Sequence, residues 1–117
     1  HDANQLRRIV DLARLNPDDS VLEIGPGLGP LTELLVEKVG HVLAIELDRR
    51  LVEFLESHLQ SPKLKILHGD GLGYVRDKTR DWSNWKLVAN LPYSVASPIL
   101  VELAESPNAP KSMTVTL

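Results

Sequence analysis

Four short segments of this chain carry residue types that chemistry uses. The first is Glu23-Ile24-Gly25-Pro26-Gly27-Leu28-Gly29. Glycines let backbone come close to a ligand and leave N–H groups available at a helix start. The dinucleotide fingerprint needs its third glycine at position 30, where Pro30 stands instead. Glu23 places a carboxylate just before the glycines, which would repel a pyrophosphate and attract a cation. The plainer alternative is a tight structural turn. Glu46 follows about 20 residues after the glycines, where an acidic side chain can accept from both hydroxyls of a ribose. Asp48 is its rival, but it suits the N-cap of a following helix better. Asp70 lies between Gly69 and Gly71 and is either a turn residue or an acceptor for an exocyclic amine, with Leu72 as a wall for the base. In Asn90-Leu91-Pro92-Tyr93, asparagine offers one neutral acceptor and one neutral donor. Proline lets nearby carbonyls face a ligand, and Tyr93 offers a ring for a base to stack on. This group suits a flat amine such as adenine N6; its alternative is a strand-ending turn with a half-buried tyrosine.

The elements that must hold these segments alternate between helical and extended patterns. Leu6, Ile9, Val10 and Ala13 recur at helical spacing, predicting a helix over about 3–15 that Asn16-Pro17-Asp18-Asp19 ends. Val21–Ile24 reads as a strand running into the glycines. Pro30 opens a helix that Gly40 caps. His41–Leu47 is a second, nearly all-apolar strand, and a helix follows over about 49–59. Leu64–Leu67 is a third strand. Residues 74–85 read as a polar loop with one helical turn at most. Leu87–Ala89 is a fourth strand, Ser97-Pro98 starts a helix to about Glu105, and Met113–Leu117 is a fifth strand. Strands separated by helices predict an α/β fold with a doubly wound, mostly parallel sheet, which binds ligands beyond the strands' carboxyl ends. Six of the seven glycines, at 25–29 and 69–73, fall at two of those ends.

Composition narrows the function classes. The 117 residues are 43% hydrophobic and 25% charged, which suits one globular domain. There is no cysteine, hence no disulfide, no thiol nucleophile and no thiolate metal site. His1, His41, His58 and His68 show no metal-ligand spacing, and no metal is expected. No apolar run approaches a membrane span. Net charge is -3, so nucleic-acid binding would need a local patch or a further part of the protein. Lys63 and Lys65 read as parts of a solvated face, and Trp82 and Trp85 as core or loop anchors.

In order and spacing, Val21–Gly29, Ile45-Glu46-Leu47-Asp48, Gly69-Asp70 and Asn90–Tyr93 resemble the ribosomal RNA adenine dimethyltransferase family. The resemblance covers nearly the whole chain. Its glycine segment is closer to the housekeeping branch than to the related enzymes of macrolide resistance. It implies a Rossmann-like class I methyltransferase fold and S-adenosyl-L-methionine as cofactor. The implied reaction is N6,N6-dimethylation of adenines in small-subunit ribosomal RNA, within ribosome biogenesis. Glu23, Gly25 and Gly27 would hold the methionine end, Glu46 the ribose, and Asp70 with Leu72 the adenine. Asn90 would touch both cofactor and target amine. Pro92 would present a carbonyl, and Tyr93 would stack on the target base.

The resemblance also implies that residues 1–117 are part of a methyltransferase domain, truncated after the fifth strand. A cofactor-binding N-terminal segment and a C-terminal helical domain would be missing, leaving a fragment that folds, lacks activity alone and associates through its exposed fifth strand. Immature small ribosomal subunits are the expected partner. A bacterial cytoplasm is the preferred setting, with mitochondrial and nucleolar homes open. Two alternatives stand beside this reading: a methyltransferase for another amine (a DNA adenine or a protein glutamine), or a catalytically silent ribosome-assembly or transcription factor.

Overall fold

The first strand runs through the middle of the sheet, with a neighbouring strand on each side. The computed structural model describes residues 3–116; His1, Asp2 and Leu117, the last residue of the expected fifth strand, lie outside the described residues. Its elements are α1 (Ala3–Ala13), β1 (Ser20–Ile24), α2 (Pro30–Lys38), β2 (His41–Glu46) and α3 (Arg49–His58). They continue with β3 (Leu64–His68), α4 (Gly71–Val75), β4 (Trp85–Asn90), α5 (Tyr93–Glu105) and β5 (Ser112–Thr116). The five strands are all parallel, in the order β3-β2-β1-β4-β5. Strand order therefore reverses between β1 and β4.

Alternation along each strand divides the apolar residues between two faces. Val21, Val42 and Val88 meet Leu6, Ile9 and Val10 of α1 and Leu31 and Leu35 of α2. Leu22, Ile24, Leu43, Ile45, Leu87 and Ala89 meet Val75 of α4 and Ala96, Ile99 and Leu103 of α5. Two faces covered by helices explain why β1 and β2 lack polar alternation. An ion pair tightens the amino edge. Lys86 Nζ lies 2.8 Å from Asp19 Oδ2 and donates to the Arg14 carbonyl at 2.8 Å, with both side chains of the pair largely buried.

The structure departs from the sequence reading at several ends. Helix α1 stops at Ala13 rather than 15, because Arg14 turns left-handed at φ 51°. Strand β4 spans 85–90 rather than 87–89, since Lys86 pairs with Val21 and Asn90 with Thr116 in ladders that outrun the apolar core. A short helix, α4, stands where a loop was expected to begin at 74, started by Asp70 Oδ1 accepting the Leu72 N–H at 3.2 Å. Helix α5 begins at Tyr93, four residues before Ser97, and places Pro98 inside the helix. The Pro92 carbonyl starts it, accepting from Val95 and Ala96 at 3.0 Å each. Trp82, 4% exposed, is the anchor its composition suggested, with the Trp85 ring edge-on 5.5 Å away.

Candidate functional site at the carboxyl ends of the strands

The glycine loop owes its shape to three left-handed residues: Gly25 at φ 70°, Gly27 at 61° and Gly29 at 92°. Such angles strain any side-chain-bearing residue, so the Gly-x-Gly-x-Gly spacing is a backbone requirement. Gly25 also has no room for more: an added Cβ would sit 2.8 Å from Leu91 Cδ2. The loop does not, however, present free glycine N–H groups as the sequence suggested. Gly25 donates to Ile45 O at 2.9 Å, Gly29 to Pro26 O at 3.0 Å, and Gly27 to Glu46 Oε1 at 3.0 Å. What it offers a ligand is close approach.

Glu46 is the tie between this loop and β2. Oε1 accepts from Gly27 and Oε2 accepts the Asp48 N–H at 3.0 Å. Its side chain is fixed although it lies at a strand end, and only 7% of the residue is exposed. Each carboxylate oxygen has a second lone pair, so both can still accept from a ligand. Asp48 takes the expected N-cap role, accepting the Arg50 N–H at 2.8 Å. That bond, first among its causes, holds the Asp48 carboxyl below its usual range.

A cavity of about 330 Å³ opens where strand order reverses. It is lined by Gly25, Glu46, Asp70, Leu72 and Leu91, which the sequence had singled out, and by Leu47, Ser94, Val95, Pro98 and Ile99, which it had not. The missed residues come mainly from the first turns of α5, which the reading had begun at Ser97. Asp70 keeps Oδ2 without a partner among the described residues, since only Oδ1 caps α4. Two carboxylates at neighbouring strand ends, set among apolar walls, suit a ligand with hydroxyls or amines on a flat apolar body.

Asn90, Pro92, Tyr93 and Gly27 do not line this cavity; their chain neighbours Leu91, Ser94 and Val95 do. Asn90 Oδ1 accepts from Thr116 Oγ1 at 3.2 Å, which turns the amide toward β5. Tyr93 is 69% exposed, an open ring at the head of α5. Leu28 and Leu47 are exposed as well, at 60% and 68%, so the end of the sheet is unusually apolar for a protein surface.

Glu23 requires a correction. It was expected to face a cationic ligand directly, but it is 1% exposed and lies on the other face of the sheet. Register explains why. Glu23 pairs with Ala44, so it shares a side with Ala44 and Glu46, opposite to Ile24 and Ile45. Its Oε1 accepts from Thr32 Oγ1 of α2 at 2.5 Å. Burial pushes its carboxyl up to about 8, the Thr32 hydrogen bond opposes that, and the charge of Glu46 adds to it. Glu23 thus acts on the cavity only through Glu46 and the loop.

No cluster of His, Asp and Glu among the described residues could hold a metal ion, and no described helix is long and apolar enough to cross a membrane.

With this geometry, the chain can be set beside known proteins. The profile of the family described as "Ribosomal RNA adenine dimethylase" matches residues 1–117. The chain is 42% identical over 103 residues to "Ribosomal RNA small subunit methyltransferase A" of Geobacter metallireducens, covering 85% of this chain and 38% of that protein. Among solved structures it is similar to 23S rRNA methyltransferase ErmE, at TM-score 0.75 and 31% identity, over 100% of this chain and 47% of the other. It is also similar to a dimethyladenosine transferase from Plasmodium falciparum, at TM-score 0.78 and 26% identity, over 97% and 42%. The chain thus spans less than half the length of each of these proteins.

Proposed function

This chain belongs to the ribosomal RNA adenine dimethylase family, and from that premise we propose that it serves methyl transfer from S-adenosyl-L-methionine to N6 of adenines in small-subunit ribosomal RNA, twice per base. The observation that carries the reading is the convergence of Glu46, Asp70 and Gly25 on one cavity at the strand-order reversal, beside the Asn90–Tyr93 segment. The higher identity to a small-subunit enzyme than to ErmE favours small-subunit RNA as substrate. The setting we propose is the bacterial cytoplasm, on the strength of that bacterial relative.

The donor set fits this cofactor. Glu46 would accept from the ribose hydroxyls with the lone pairs its backbone bonds leave over, and Asp70 Oδ2 from the amine of the adenine. Leu47, Leu72, Val95 and Ile99 supply apolar walls, and the acidic rim suits a positively charged molecule. When bound, the cofactor supplies an electrophilic methyl group on a sulfonium.

No side chain has to become a nucleophile. The amine of the target base is itself the attacking group, so the chain's task is to place it and to stabilise the positive charge that develops on it. The remaining lone pair of Asn90 Oδ1 and the Leu91 carbonyl would accept the two amine hydrogens; the Pro92 carbonyl, expected to share that task, is instead taken by the Val95 and Ala96 N–H groups at the start of α5. The exposed Tyr93 ring is a platform for a base turned out of its strand.

The test pairs binding with turnover. Calorimetry should show the cofactor binding to the wild-type chain and more weakly to Glu46→Gln. Methylation by the full-length protein should occur with immature small subunits, and not with DNA or peptide. Cofactor binding with no methylation of any substrate would favour a silent assembly factor, and methylation of DNA or peptide would overturn the substrate assignment.

A further inference from the structure

A second cavity, about 440 Å³, lies at the opposite end of the sheet, at the amino ends of the strands. Parallel-sheet folds place their cofactors at the carboxyl ends, so the site described above leaves this cavity unused. Its existence follows from the shortness of α4. That helix is five residues long, and the amino ends of β1, β2, β3 and β4 line the cavity beside Tyr74.

Register determines what this face displays. Ser20 pairs with both His41 and Trp85, and Lys63 precedes Leu64, the partner of Val42. His41, Ser20 and Trp85 therefore form one row across the ends of three neighbouring strands, on the side that also carries Leu22 and Leu43, and Lys63 extends it from the turn before β3, its ammonium resting on Val36 of α2. Lys65 stands one rung further in, opposite Leu43. Strands lie roughly 4.8 Å apart, so the row runs about 14 Å from the lysine end to the indole. Tyr74 of α4 closes one side, with the Arg80 guanidinium 3.7 Å above its ring.

All six of these residues line the cavity, and no carboxylate does. In a chain of net charge -3 that is a local reversal of sign. Among the described residues neither Lys65 nor the His41 ring has a hydrogen-bond or ion-pair partner. The Lys63 ammonium uses one of its three donors, on the Val36 carbonyl at 3.3 Å. Two exposed lysines at one end of the cavity and aromatic rings at the other suit the phosphates and bases of a single strand. Sheet faces that present aromatic side chains to unpaired bases are an established way of holding RNA.

We infer that this amino-end face binds a single-stranded segment of the RNA substrate, with phosphates on Lys63 and Lys65 and a base against Trp85. The inference rests on the reading that the substrate is RNA. It gives that RNA a second hold at the far end of the sheet from the cavity where the cofactor is proposed. It also revises the sequence reading, in which Lys63 and Lys65 were only solvated and Trp85 only an anchor.

The experiment titrates the chain with a short unstructured oligoribonucleotide while following tryptophan emission, across a series of salt concentrations. Wild type should show quenching. Trp85→Phe should lose it, because Trp82 is buried and reports only the interior. The double variant Lys63→Ala with Lys65→Ala, both exposed side chains, should bind about tenfold or more weakly. Its logarithmic salt dependence should be shallower by about 1.4, two phosphates at about 0.7 each for a single strand. Calorimetry with S-adenosylmethionine on the same variant should be unchanged. Equal RNA affinity and salt slope in wild type and double variant would overturn the inference. So would quenching by adenosine monophosphate with no response to the oligonucleotide, which would mark a pocket for free nucleotides. If the wild-type chain binds RNA through these lysines but takes no S-adenosylmethionine, the proposed function fails while this inference stands.

Discussion

Stability should fall as pH rises from about 5 to about 9, and Glu23 should be the reason. Its carboxyl is 1% exposed and has one partner, the Thr32 hydroxyl, with no cation beside it. Burial, with the charge of Glu46 adding to it and Thr32 opposing it, raises this group from an ordinary 4.5 to about 8. The folded protein therefore holds the proton more tightly than the unfolded chain does. The stabilisation is fully present below about 4.5 and is lost progressively until pH passes about 8. A tenfold difference in proton affinity is worth about 1.4 kcal/mol, and relaxation of the surroundings softens the effect, so a loss of about 2–4 kcal/mol is expected. The assay is urea unfolding at a series of pH values, on wild type and Glu23→Gln. Glutamine has the shape of the protonated acid and can keep the Thr32 contact. The two proteins should match near pH 5, and the variant should be the more stable near pH 9. All other titrating groups are common to both, so the difference isolates Glu23. Parallel stability curves over the whole range would refute the assignment of a buried, protonated acid.

Lys86→Met should cost about 3 kcal/mol in the same unfolding assay, because it leaves the Asp19 carboxylate buried without its cation. Gly29→Ala should cost about 1–3 kcal/mol by thermal melting: φ is 92°, and the new Cβ would lie 2.7 Å from Leu59 and 2.8 Å from the fully buried Leu55. Glu46→Ala should lower the melting temperature even without ligand, since the Gly27 and Asp48 N–H groups lose a charged acceptor at about 1.5–3 kcal/mol each; a melting temperature within a degree or so of wild type would show that these bonds do not hold the loop. In the full-length protein, Asn90→Ala should slow single-turnover methylation about 100-fold or more while leaving calorimetric cofactor affinity nearly intact; a rate within about threefold of wild type would remove Asn90 from the transition state.

The strands were legible because β1 and β2 are buried on both faces and their apolar runs leave no other reading. The glycine spacing was legible because left-handed backbone admits few other residues. Helix α4 was not, since Gly71-Leu72-Gly73 is a poor helix sequence by propensity and is held by the Asp70 cap and by Val75 in the core. The start of α5 was misplaced because proline is read as a helix opener, and Pro98 drew the boundary away from Pro92. That one misplacement hid Ser94 and Val95 from the list of cavity residues. Glu23 was misread for a different reason: which side of a strand a residue takes is fixed by register with its neighbours, which no local pattern displays.

The order of the strands also bears on the birth of the molecule. β1 precedes the other four strands in this chain and lies innermost among them, where Ser20 lies against His41 on one side and against Trp85 on the other. A chain emerging from the ribosome can add β2 and then β3 on one side of β1 early, but the other border of β1 must wait until β4 has been made. In that interval Val21 and Leu22, wholly enclosed later, present an unfilled strand border to the cell. Slow, long-range closure of this kind is the phase in which nascent chains are most prone to stick to one another. Chaperone dependence of this protein should accordingly be concentrated in the time between synthesis of β3 and synthesis of β4.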